Sequence, residues 1–113
     1  MIKVIINSDS NLDIDLRAAE SIEANILKRI GRFEERLTRV VAHLRDENAH
    51  KSGGQNDKRC MLEARPEGMN AINVSHNAPT VSEAVDHATR KLEPLLDDTF
   101  ERLAVSKARS ASE

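Results

Sequence analysis

Between residues 14 and 37 the apolar side chains Leu16, Ala19, Ile22, Ile26, Ile30, Phe33 and Leu37 recur every three or four positions, the period of one helical face. On either side of this segment the period falls to two. Upstream, Ile2, Val4 and Ile6 alternate with Lys3, Ile5 and Asn7. Downstream, from Thr38 to Arg45, Val40, Ala42 and Leu44 alternate with Val41, His43 and Arg45. A helix between two strands is a crossover, so the two strands are expected to be parallel and the connection right-handed. Asp13 or a near neighbour is placed to cap the helix. Gly31 inside it is about 1 kcal/mol worse than Ala, which predicts close packing of the backbone against the sheet there.

The second half of the chain continues the sheet. A loop is expected over 48–57, where Ser52, Gly53 and Gly54 supply a permissive backbone for a hairpin. Lys58 to Arg65 follows as a third strand with Cys60, Leu62 and Ala64 facing inward. After a turn at Pro66-Glu67-Gly68, Met69 to His76 is the fourth strand, with Ile72, Val74 and His76 on one side. A last helix from about Val81 to Val105 carries Val81, Ala84, Val85, Ala88, Leu92, Leu95, Thr99 and Leu103 on one stripe, with a bend expected at Pro94. The expected fold is α+β: a β-α-β-β-β-α two-layer sandwich with strand order 1-2-3-4 and both helices on one face. Lys3, Arg45, Glu63 and Asn73 require the other face to stay open, because covering both would bury unpaired charge. Residues 1–105 form one domain and 106–113 a flexible tail.

Composition narrows the partners. The only aromatic residues among 113 are Phe33 and Phe100, too few for base stacking, so nucleic acid would have to be held through phosphates and shape. Cys60 is the single cysteine and cannot form an internal disulfide, and the apolar start of the chain is too short for a membrane span, so a reducing, cytoplasmic setting is expected. His43, His50, Cys60 and His76 lack metal-ligand spacing. With no glycine-rich phosphate loop, nucleophile motif or converging acids, the pattern is not that of an enzyme; no cofactor, metal, small-molecule substrate or membrane is expected.

One charged feature points to a partner. If the first helix extends through its last turn, Lys28, Arg29, Arg32, Arg36 and Arg39 fall within an arc of about 100°, beside the apolar stripe. Glu20, Glu23 and Glu34 lie on the far side. A basic ridge on a chain of formal net charge -2 predicts a localised site for a polyanion.

The order of elements, together with Val81-Ser82-Glu83-Ala84-Val85-Asp86 followed by Arg90-Lys91-Leu92, resembles the ribosome hibernation-promoting factor family, also called ribosome-associated inhibitor A or sigma-54 modulation proteins. Leu16-Arg17, Arg29-Ile30 (where the family tends to have Lys-Leu) and Phe33 extend the resemblance, which spans Met1 to about Leu103. It implies a double-stranded-RNA-binding-domain-like fold. It also implies a bacterial protein that sits in the decoding channel of the 30S ribosomal subunit, contacts ribosomal RNA phosphates from both helices, and inhibits translation while ribosomes are stored under stress in stationary phase. By position, Lys91 matches the family's lysine in the last helix and Arg29 the lysine of the Lys-Leu pair; His87 and Arg90 lie beside Lys91. Beyond Lys91 the family usually continues with Arg and Lys, whereas this chain has Glu93, Pro94, Asp97 and Asp98. It is expected to be a short, divergent form, without the C-terminal domain by which long members dimerise ribosomes. The alternative is a protein-interaction module of the same fold that has lost ribosome binding.

Overall fold

The computed structural model describes residues 2–47 and 57–111, the last five as backbone alone. Its elements are β1 (Lys3–Ser8), α1 (Leu16–Ile30), a 3-10 turn (Gly31–Phe33), β2 (Leu37–Asp46), β3 (Lys58–Pro66), β4 (Ile72–Ala78) and α2 (Val81–Ala111). The sheet order is β1-β2-β3-β4, with β1 parallel to β2 and the next two pairs antiparallel. This is the expected architecture. His50 and the Ser52–Gly54 turn lie outside the described residues.

Strand alternation divides the sheet into a core face and an open face. Val40, Ala42, Leu44, Cys60, Leu62 and Ala64 are buried and join Ile22, Ile26 and Ile30 of α1 and Ala84, Val85, Ala88, Leu92, Leu96 and Phe100 of α2 in one cluster. Both helices therefore cover the same side. Burial pushes the Cys60 thiol up to about 12, so it stays protonated and inert there.

Caps define both helix starts. The Ala18 N–H donates to Asp15 Oδ1 at 2.8 Å, and the Glu83 N–H donates to Thr80 Oγ1 at 3.1 Å. The β3–β4 turn closes through Met69 N–H to Pro66 C=O, and Gly68, the third residue of the turn, takes φ 74°, a conformation that favours glycine. This turn delays β4 to Ile72, three residues after the predicted start.

Four expectations fail locally. The first helix stops at Ile30 rather than continuing toward Leu37; because a 3-10 turn also repeats every three residues, Phe33 is buried from that turn, and Leu37 is buried as the first residue of β2. Gly31 is not a point of close packing: a Cβ placed there meets nothing within 4 Å. In α2 the buried stripe passes from Leu92 to Leu96 and Phe100, leaving Leu95 43% exposed, because i+4 steps from Leu92 reach those positions directly. Pro94 lies on the exposed side of α2 and does not end it, and the helix runs to Ala111, six residues beyond the expected end.

Candidate nucleic-acid interface

Because α1 ends at Ile30, the five cations of the predicted ridge belong to four different local structures. Lys28 and Arg29 occupy the last turn of α1, Arg32 the 3-10 turn, Arg36 the following bend, and Arg39 strand β2. Arg39 leaves the ridge altogether. Its neighbour Val40 is fully buried beneath the helices, so Arg39 points to the opposite, open face of the sheet. A helical wheel continued across a strand start had put it on the wrong side of the molecule.

The remaining ridge lies against the flank of α2, and there two of its four cations, Arg29 and Arg32, are paired with acids. Arg29 Nη1 lies 3.5 Å from Glu93 Oε1, and Arg32 Nε lies 3.4 Å from Glu93 Oε2. Arg32 Nη2 donates to Asp97 Oδ2 at 2.6 Å. Glu93 and Asp97 are one turn apart, so their carboxylates present a single acidic edge to the two arginines. The Arg32 guanidinium holds the Asp97 carboxyl below its ordinary range, and Asp97 in turn raises Arg32. Arg32 also stacks over the Phe33 ring at 4.1 Å, and Arg36 lies over Phe100 at 5.3 Å.

On α2 the three other candidates also have internal contacts. Arg90 pairs with Asp86 one turn earlier at 3.1 Å. Lys91 Nζ donates to the Ser75 carbonyl of β4 at 2.9 Å. The His87 ring lies 4.7 Å from that of His76, whose protonation is disfavoured by burial and then by Lys91 and His87. Of the eight, Lys28 and Arg39 are exposed with no ion pair, ring contact or side-chain hydrogen bond among the described residues. Among those residues no group of three His, Cys, Asp or Glu can hold a metal ion; His43 and Cys60 face opposite sides of the sheet.

Strand register brings together a second set of cations that the helical wheel missed. Lys3 of β1 is aligned with Arg39 of β2, which is aligned with Arg65 of β3. Farther along the same face Arg45 sits opposite Arg59. Glu63 is the one carboxylate among the described strand residues of this face, 3.5 Å from His43. The period-two alternation that marks these strands carried the signal, since it assigns the five cations to one side.

The chain matches no family model, and no curated protein matches it. Solved structures share its fold, two of them as follows. One is a ribosomal subunit interface protein from Coxiella burnetii, with TM-score 0.69 and 17% identity over 89% of this chain and 99% of that one. The other is the N-terminal domain of Thermus thermophilus Protein Y, with TM-score 0.65 and 18% identity over 87% of this chain and 97% of that one. Both are similar to this chain across almost the whole of the α/β sandwich.

Proposed function

We propose that this protein is a non-enzymatic, ribosome-associated factor that binds ribosomal RNA in the decoding region of the 30S subunit and lowers translation by occupying that site. The observation that carries the reading is the likeness to a ribosomal subunit interface protein along nearly its full length. The sequence motifs around Val81–Asp86 and Arg90–Leu92 point the same way. Lys28, Arg29, Arg32 and Arg36 at the end of α1, with His87, Arg90 and Lys91 of α2, supply the contacts to phosphate from the helix layer. Since ion pairs of exposed groups contribute about 0–1 kcal/mol, a phosphate backbone offering several charges at once can displace Glu93 and Asp97 from the arginines.

Co-sedimentation with purified 30S and 70S particles at low and high salt tests the proposal. The protein should pellet with ribosomes at low salt and leave them as salt rises, because its affinity comes from released counterions. Changing Arg29, Arg32 and Arg36 together to Glu should abolish pelleting while the circular dichroism spectrum stays that of the wild type. The second reading, a protein-interaction module of this fold, is favoured by the pairing of Arg29 and Arg32 with Glu93 and Asp97. Under it, wild-type protein would not pellet with ribosomes at any salt concentration, and a protein partner would be retained at high salt.

A further inference from the structure

Lys3, Arg39 and Arg65 form a continuous row across three adjacent strands, with side chains directly opposite one another at a Cβ spacing of about 5 Å. Like charges in that relation destabilise a sheet. None of the three has an ion pair among the described residues, and the Arg65 Nε is buried without a hydrogen-bond partner. A β-bulge between Leu37 and Arg39 interrupts the register at this row, and the inserted Thr38 donates through Oγ1 to the Arg65 carbonyl at 2.8 Å. With Arg45 and Arg59 included, the described strand residues of the open face hold five cations against Glu63, with Glu47 just past the end of β2 bonded to Asn77 of this face, on a chain whose formal net charge is -2. Among the described strand residues, the side of the sheet that the helices leave bare thus carries a net positive charge.

We propose that this open face is a second phosphate-binding surface, which docks on duplex RNA through the row Lys3, Arg39 and Arg65. It rests on the ribosome reading only for the choice of RNA as the polyanion. Three cations spanning about 10 Å across the strands match a run of backbone phosphates, and two of them are arginines, whose planar forks bind phosphate in bidentate fashion. The face has no base-stacking platform, since Phe33 and Phe100 pack on each other in the helix layer with ring centroids 5.5 Å apart. It therefore takes the phosphates of a helical RNA rather than the bases of a single strand. A protein partner fits less well: of the apolar residues on the face, Val41 is only 7% exposed and Ile5 and Met61 are half-buried, so no fully exposed apolar anchor stands out for an interface to bury.

The test is the affinity of the whole protein for an RNA duplex of about 16 base pairs, followed by fluorescence anisotropy over a range of salt concentrations, with ribosome co-sedimentation in parallel. The R39E/R65E variant should lose at least about tenfold in affinity, and the slope of log affinity against log salt should fall by about two. Its fold is checked by circular dichroism, and R39Q/R65Q serves if the reversed variant does not fold. The proposal is overturned if the variant keeps wild-type affinity and slope, if the wild type binds no duplex, or if poly-glutamate displaces the duplex at equal charge concentration. A wild type that binds the duplex through this row yet ignores ribosomes sinks the ribosome reading and leaves this surface standing. Equal pelleting of wild type and R39E/R65E, with equal duplex binding, does the reverse.

Discussion

The two sides of this molecule handle positive charge in opposite ways. At the helix layer, Arg29 and Arg32 face Glu93 and Asp97, so two of the four cations in the ridge that looks strongest in the sequence are internally balanced. On the open sheet face, Lys3, Arg39 and Arg65 face one another, so each cation raises the local potential instead of cancelling it. A count of basic residues does not separate the two cases; tertiary neighbours do. The ridge is stabilised by its acids and has its positive potential lowered by them, whereas the row sacrifices sheet stability and keeps its potential available to an anion.

The contrast is broken most directly by replacing the acids. In E93K/D97K the two ion-paired arginines lose both partners and α2 gains two cations, so affinity for ribosomes and for duplex RNA should rise at least about tenfold, and the salt slope should steepen by as many as four contacts. The milder E93Q/D97N should steepen it by about two. Thermal unfolding should barely move for E93Q/D97N, because exposed ion pairs of this kind contribute about 0–1 kcal/mol. If neither variant binds RNA more tightly, the acids do not limit the ridge and the proposed difference between the faces is empty.

From the other side, R39E replaces two repulsions in the row with two attractions to Lys3 and Arg65. Cross-strand pairs carry about 0.2–1 kcal/mol each, so this variant should be more stable than wild type by up to about 2 kcal/mol while binding RNA more weakly. Denaturant unfolding monitored by circular dichroism measures the first effect. A loss of stability would show that Arg39 is compensated in solution and that the row is not strained.

The sequence carried the architecture further than it carried the site, for a physical reason. Strand parity depends on local alternation, and Val40, Ala42 and Leu44 against Val41, His43 and Arg45 already separated the core face from the open one. The position of α1's end depended on a competition that the spacing could not reveal. Ile30, Phe33 and Leu37 have the same intervals whether the chain continues as α-helix or passes through a 3-10 turn into β2. That one boundary displaced Arg39 from the ridge to the row. The pairing of Arg29 and Arg32 with Glu93 and Asp97 joins residues more than sixty positions apart, so the acids register in the sequence as a departure from basic character and not as partners.

Gly31 lies at the junction that decides this. It has αR geometry, with φ -57° and ψ -27°, and open space where a Cβ would go. Gly31→Ala should therefore stabilise the protein by about 0.4–1 kcal/mol, chiefly by restricting the unfolded chain. RNA affinity should stay unchanged, because Arg32 follows the same backbone path in the variant. A gain in stability accompanied by a change in affinity would mean that α1 had extended and carried Arg32 away from Asp97.

The smallest effect is also the most specific. Asp97 is held below the ordinary carboxylate range first by the hydrogen bond from Arg32 and then by its charge. A carboxyl whose folded pKa is depressed contributes stability above its unfolded pKa, about 3.9, and loses that contribution as pH falls through the folded value. The Arg32–Asp97 contact should consequently persist from neutral pH to about pH 5, so mild acid does not release Arg32; a competing polyanion or a substitution does. Following the Asp97 side-chain carboxyl carbon by NMR, the midpoint should move upward in R32A toward that of an unpaired aspartate. Identical Asp97 midpoints in wild type and R32A would mean that the pair does not persist in solution. Arg32 would then be as available as Arg39, and the two faces would differ in position but not in the availability of their charge.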